Sequence, residues 1–322
     1  MNNQNLKSCR DGFGEALVLA GEKNKDIVVL TANLGESTRA HLFGNRFQDR
    51  FFDIGVAEQS LVTVASGMAN YGKIPFITSY AVFSPGRAFE QVKVTIAMNN
   101  LPVKIVGAHS GLGAGPYGAT HQSLEDIALM RILPNMIVIQ PCDYEEAKKA
   151  TLAVAINKKP SYLRLSRQDS EIITKKEDAF EIGKINILRY GNSPRVAIIG
   201  CGPILAEGLK AAENLFEKDI EVMVINSHTI KPLDEDGILK VAKQCGAIVT
   251  IEEHQIAGGL GSAIAEFLVS SLPAGRQVPI EFIGIRDSFG ESGTTEELFE
   301  KFGLTASSIE KAVMKVLTRK SQ

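Results

Sequence analysis

The sequence predicts a two-domain α/β protein built on mostly parallel sheets. Three features carry that prediction. There are short, unbroken β-branched runs. Segments of helical period lie between them. A polar stretch at residues 168–192, with little apolar periodicity and read as a linker with short strands, separates one such series from a second. Strands alternating with helices place helices on both faces of a parallel sheet. A chain of 322 residues is long enough for two units of this kind.

The elements follow in order. Residues 11–22 read as an amphipathic helix with Phe13, Leu17 and Leu19 on its apolar face. Residues 26–31 read as a buried strand, short and rich in valine. A small-residue helix is expected over 58–70, a strand over 73–78, a helix over 88–98 and a strand over 103–107. A strand over 136–140 stops at Pro141, and a helix covers 144–156. After the polar break, strands are expected at 196–200, 220–225, 247–251 and 280–285, and helices at 203–216, 261–271 and 307–317. Residues 271–278 read as a loop. The expected division is therefore a first domain over 1–170, a linker over 171–190 and a second domain over 191–322.

Composition bounds the function. Apolar residues at 44% and charged residues at 22% describe a soluble globular protein. A formal net charge of -2 supplies no field for nucleic acid or an acidic membrane. Cys9, Cys142, Cys201 and Cys245 are scattered, with no CxxC and no Cys/His cluster. That spacing argues against zinc and against a disulfide framework, and fits a reducing cytoplasm. The opening segment through Phe13 is polar and reads as no signal peptide. No apolar run approaches the roughly 20 residues that span a bilayer.

Four passages could carry chemistry. Glu58 opens a helix whose next turns are small and apolar; a dipole-favoured carboxylate is the plain reading, and a partly buried, proton-sharing carboxyl the sharper one. Tyr80 and Phe83 follow a strand, at the edge where α/β folds bind ligands, and could wall a heteroaromatic ring or simply pack in the core. His109 and His121 bracket a glycine loop, Gly111 to Gly118, that lets backbone approach a ligand; acid/base, anion-binding and structural roles all remain open. Arg10 and Arg167 have the chemistry to clamp a phosphate, though either could be a surface ion-pair residue. Gly200-Cys-Gly202 is a weak dinucleotide fingerprint: Leu205 occupies the third glycine position, and Pro203 explains the turn as a helix start.

In this order, the motifs resemble the C-terminal portion of transketolases over nearly the whole chain. Arg46 to Gln59 resembles the stretch with the family's glutamate, and Gly118 to Arg131 its histidine segment. Thr229 to Asp234, Glu252-Glu-His254, Gly258 to Gly261 and Phe289-Gly-Glu-Ser-Gly293 are similar in the second half. The resemblance implies a pyrimidine-binding domain for thiamine diphosphate followed by a smaller C-terminal domain that serves dimerisation. It implies that Glu58 pairs with N1′ of the cofactor's aminopyrimidine, that Phe83 stacks on that ring and that Tyr80 lines its pocket. His121 would bond substrate hydroxyls. Arg10, Ser37, His109 and Arg167 match positions that hold sugar phosphates. A two-carbon ketol unit would pass from a ketose to an aldose.

The family's Gly-Asp-Gly motif, which holds the diphosphate with Mg²⁺ or Ca²⁺, is absent from the sequence. The resemblance therefore implies an N-terminal partner subunit carrying the metal, and an α2β2 assembly. Two positions depart from the family: Asn33 stands where an acid commonly precedes leucine, and Tyr117 where an acid commonly precedes the Gly-Ala-Thr-His run. Asn33 would lie by the cofactor and Tyr117 by a sugar hydroxyl. Both departures point to a specialised sugar or to impaired activity. The alternatives are a β-type subunit of a 2-oxoacid dehydrogenase decarboxylase, a deoxyxylulose-phosphate synthase-like fragment, and a non-catalytic partner. Thr120-His121-Gln122 and the Phe289 to Gly293 ending favour transketolase over the first two, and an intact Glu58 and His121 oppose the last.

Overall fold

The structure, a computed structural model, describes residues 6–320 except 274 and 276. Part of the polar opening segment and part of the loop expected at 271–278 lie outside the described residues.

The larger sheet has seven strands in the order Thr229–Lys231, Ile137–Ile139, Ser161–Arg164, Lys104–Ala108, Ile74–Tyr80, Ile27–Thr31 and Phe51–Asp53. Every pair is parallel except the first, where Thr229–Lys231 runs antiparallel at the edge. Successive side chains of a strand face opposite sides. Leu30, Ile77 and Ile105 accordingly share one core, and Val29, Phe76 and Val106 the other. Helices Cys9–Lys23 and Tyr144–Ile156 cover the second face with Phe13, Leu17, Ala147 and Val154. Helix Glu58–Asn70 covers the first with Leu61, Val62 and Ala65.

The second sheet has five strands: Ile280–Ile285, Ile248–Gln255, Val196–Gly200, Val222–Asn226 and Asn186–Arg189. Helices Leu205–Phe216 and Ala306–Lys320 pack one face. The other face, with Ala197, Ile199, Met223 and Ile225, joins the core of the first sheet. The fold is thus the two-domain α/β arrangement expected, with parallel-rich sheets meeting in a shared apolar layer.

The polar stretch at 168–192 holds short strands, as expected: Asp169–Glu171 pairs with Leu6–Ser8, and Asn186–Arg189 closes the second sheet. Other details differ from the sequence reading. Residues 88–98 do not form a regular α-helix. Phe89–Gln91 is one turn, and Val92–Ala97 widens into a π-helical turn. Helix Glu235–Cys245 was not expected, although its signals are present. Asp234 caps it by accepting from the Gly237 N–H, and Gly246, at φ 65°, ends it in the left-handed region. The strand at 73–78 runs on to Tyr80, which sets that ring at the sheet's carboxyl edge.

Candidate functional site at the carboxyl edge of the first sheet

Parallel strands deliver their following loops to one edge, where open α/β sheets bind ligands. Tyr80 ends strand Ile74–Tyr80, and Phe83 lies in the turn after it. His109 follows Lys104–Ala108, and Arg167 follows Ser161–Arg164. The rings converge. The Tyr80 centroid is 4.0 Å from His109, 5.9 Å from Phe83, 6.3 Å from His121 and 6.5 Å from Tyr117. His121 meets Phe83 edge-on at 5.4 Å and Tyr117 at 5.6 Å. The Arg167 guanidinium lies 5.2 Å over the Tyr117 ring.

Glu58 is buried at the first turn of its helix, only 2% exposed. Its Oε2 accepts a hydrogen bond from Arg87 Nη1 at 2.9 Å, and the same guanidinium lies 4.7 Å over the Phe83 ring. Arg87 therefore joins the carboxyl to the aromatic wall. The sequence reading passed over Arg87, although it lies four positions after Phe83 in the same segment.

His109 is buried, and its Nδ1 has no hydrogen-bond partner among the described residues. Burial first, then the nearby charges of Arg10 and Arg167, pull its pKa down to about 3, so the ring is neutral near pH 7. His121 is half-buried, with Nδ1 3.0 Å from the Thr120 hydroxyl.

Arg10 donates to the Ser37 carbonyl at 2.7 Å and to the Arg167 carbonyl at 2.8 Å. It thus ties together two of the segments expected at a phosphate site. Asn33 is exposed and outside the ring cluster, in the left-handed region at φ 58°. Its N–H donates to Asp53 Oδ1, which also accepts from the Gly55 N–H, each at 2.9 Å. Asn33 is therefore anchored at the loop that leads into Glu58.

The second domain touches this site, which sequence reasoning missed. Glu253, fully buried on strand Ile248–Gln255, accepts from the Gly113 N–H at 2.5 Å. Gln122 donates to the Gly115 carbonyl at 3.2 Å and to the Glu291 carbonyl at 2.9 Å. The segment Phe289 to Gly293 lies against the glycine loop. A Cβ on Gly118 would meet Ser292 Oγ at 2.6 Å. Beneath the loop, Arg164 and Asp126 form a buried ion pair, Nε to Oδ2 2.7 Å, to which the Tyr162 hydroxyl adds a bond of 2.6 Å.

Comparison with known proteins gives the family. The family described as "Transketolase, pyrimidine binding domain" matches residues 7–171, and "Transketolase, C-terminal domain" matches residues 183–309. The chain is 42% identical to a putative transketolase C-terminal section of Methanocaldococcus jannaschii, over 97% of both chains. It is 40% identical to the 6-deoxy-6-sulfo-D-fructose transketolase subunit SqwH of Clostridium sp. (strain MSTE9), covering 97% of this chain and 95% of that one. A solved structure described as a split gene transketolase, inactive beta4 tetramer, superposes with a TM-score of 0.90 at 41% identity, over 97% of this chain and 99% of that one.

Proposed function

The chain belongs to the transketolase family, and from that premise we propose that it is the C-terminal subunit of a split transketolase. In this reading it moves a two-carbon ketol unit from a ketose or its phosphate to an aldose or its phosphate, and it works only with an N-terminal subunit. The observation that carries the reading is the Glu58–Arg87–Phe83 group at the sheet's carboxyl edge, with His121 edge-on to Phe83.

These residues fit thiamine diphosphate. A carboxyl 2% exposed beside a half-buried aromatic ring suits an aminopyrimidine, whose ring nitrogen needs a proton-sharing partner and whose faces need apolar contact. Bound there, thiamine diphosphate supplies the electron sink that lets a carbon–carbon bond break beside a carbonyl. Glu58 would hold a proton at the aminopyrimidine N1′. Phe83 and Tyr80 would hold the ring, and the apolar wall would exclude water. His121 would bond substrate hydroxyls, and neutral His109 would donate or accept without a charge of its own. Arg10, Ser37 and Arg167 would receive a sugar phosphate. Asn33 would stand beside the cofactor.

The absence of Gly-Asp-Gly from the sequence supports placing the diphosphate and its Mg²⁺ or Ca²⁺ on a partner subunit. So does the similarity to a split gene transketolase described as an inactive beta4 tetramer. Tyr117, 46% exposed among the rings, would bear on the sugar. Relatives named for a sulfofructose, and in Phocaeicola vulgatus for apulose-4-phosphate (34% identical), favour a specialised sugar. No described helix is long and apolar enough to cross a membrane.

The test is reconstitution. The chain alone should show no ketol transfer with thiamine diphosphate and Mg²⁺. Adding an N-terminal subunit that carries Gly-Asp-Gly should produce it. Substantial transfer by the lone chain, or 2-oxoacid decarboxylation in its place, would overturn the reading.

A further inference from the structure

The geometry points to Glu253 as a positioning residue through which the C-terminal domain holds the substrate-side glycine loop in register, with Gln122 as its second anchor. This rests on the transketolase reading, and it gives the second domain a part in substrate recognition beyond assembly.

The loop Gly111 to Gly118 holds only short 3-10 turns over Leu112–Tyr117, broken by a kink at Gly115. Gly111 and Gly115 sit at φ 70° and 61°, and the one large side chain the segment buries completely, Leu112, packs into the core of the second domain. The loop links His109 to His121 and carries Tyr117. Its shape is imposed from outside. Glu253 is fully buried, 140 positions from Gly113 in sequence, and its carboxylate takes the Gly113 N–H. The same carboxyl occupies the space a side chain at Gly111 would need, since a Cβ there would stand 2.4 Å from Oε1. On the far side of the loop, Gln122 bridges the Gly115 carbonyl to the Glu291 carbonyl of the second domain. Two contacts from one domain thus bracket the loop between the histidines of the other.

The backing of Glu253 is rigid. Arg164 Nη2 donates to the Glu253 carbonyl at 3.1 Å while its Nε holds Asp126. The groups facing the carboxyl are Arg164 from the strand, Asp126 from helix Asp126–Arg131, and Gln168 after the strand, with Glu252 and His254 its neighbours in sequence. Burial pushes the Glu253 carboxyl up to about 7. Raising the pH through neutrality therefore ionises it, and a charged acceptor grips an N–H more strongly than a neutral one.

The experiment compares Glu253→Ala, Glu253→Gln and Gln122→Met in the reconstituted complex, and follows hydrogen exchange of the loop amides in each chain alone. Misplacing a substrate-side loop by about 1 Å costs up to about 100-fold in turnover efficiency. Glu253→Ala should raise sugar KM about tenfold with kcat within about threefold, and should speed exchange at Gly113. Glu253→Gln keeps the acceptor and should restore KM, but remove the wild-type fall in KM between pH 6 and 8. Gln122→Met should also raise KM, and it decides the matter if Glu253→Ala does not fold. Unchanged KM and unchanged Gly113 exchange in the folded variants would overturn the proposal. If the wild-type complex transfers no ketol unit, the functional reading fails. Exchange at Gly113 then still decides whether Glu253 holds the loop.

Discussion

Arg87 Nη1 stands 2.9 Å from Glu58 Oε2, although the Arg87 side chain is half exposed and the Glu58 side chain only 2%. The cation reaches in from solvent to a carboxyl that lies under the first turn of a helix, and it crosses the face of Phe83 on the way. One side chain thus contacts both groups proposed to hold the aminopyrimidine.

Because one partner is solvated, the pair should couple modestly. A double-mutant cycle of Glu58→Gln and Arg87→Ala, measured by urea unfolding, should give about 1 kcal/mol. Additive single-variant losses would show that the two side chains do not act together.

Glu58→Ala should lower ketol transfer of the reconstituted enzyme at least about 100-fold, as expected on losing a positioned proton-transfer group. Sedimentation should show assembly retained. Retained turnover would remove Glu58 from the chemistry.

Breaking the buried Arg164–Asp126 pair should be far more damaging than breaking the Arg87 contact. Both side chains are essentially inaccessible, and Asp126 would keep its charge with only Tyr162 donating to it. Arg164→Met should cost about 3–5 kcal/mol in chemical denaturation. A loss below about 1 kcal/mol would mean that the site relaxes or admits water.

Stability should depend on pH through opposed groups. Burial raises Glu146, Glu252 and Glu253 to about 7, so the folded state holds their protons between about 4.5 and 7. Burial lowers His109 to about 3, and His228 and His254 to about 4, so the unfolded state holds theirs up to about 6.5. The two sets offset one another in the middle of the range. Above it the carboxyls alone remain, and stability falls as pH rises through 7. Glu146, whose oxygens accept from Asn226 Nδ2 at 2.8 and 2.9 Å, isolates one contribution. Glu146→Gln should gain on wild type steadily from pH 4.5 to 7 and level off above. A pH-independent difference would sink this assignment.

Tyr117→Asp should redirect sugar preference. It exchanges a ring under Arg167 for a carboxylate that can accept from a sugar hydroxyl. Ratios of kcat/KM between ordinary and modified ketoses should shift toward the ordinary ones by about tenfold. Equal ratios would place Tyr117 outside the specificity contacts.

Much of this was legible in sequence. Runs at 27–30 and 196–199 read as buried strands by their shortness and β-branched content, and their alternation with helices points to parallel sheets. The helix expected at 144–156 forms as Tyr144–Ile156, where Asp143 caps it by accepting from the Glu146 N–H. The short helices Gly35–Thr38 and His41–Arg46 left no such mark. At four and six residues they are too short to show a period, and packing defines them.

By itself the sequence determined the fold class and put Phe83 just after a strand, Glu58 at a helix start and the two histidines around a glycine loop, because local pattern fixes elements and parallel topology sends their loops to one edge. Only the tertiary structure decided that Arg87 lies on Glu58 and that Glu253 grips the glycine loop. Those contacts join segments 29 and 140 residues apart. No local propensity encodes such a meeting; it follows from how helices and sheets close on a shared core.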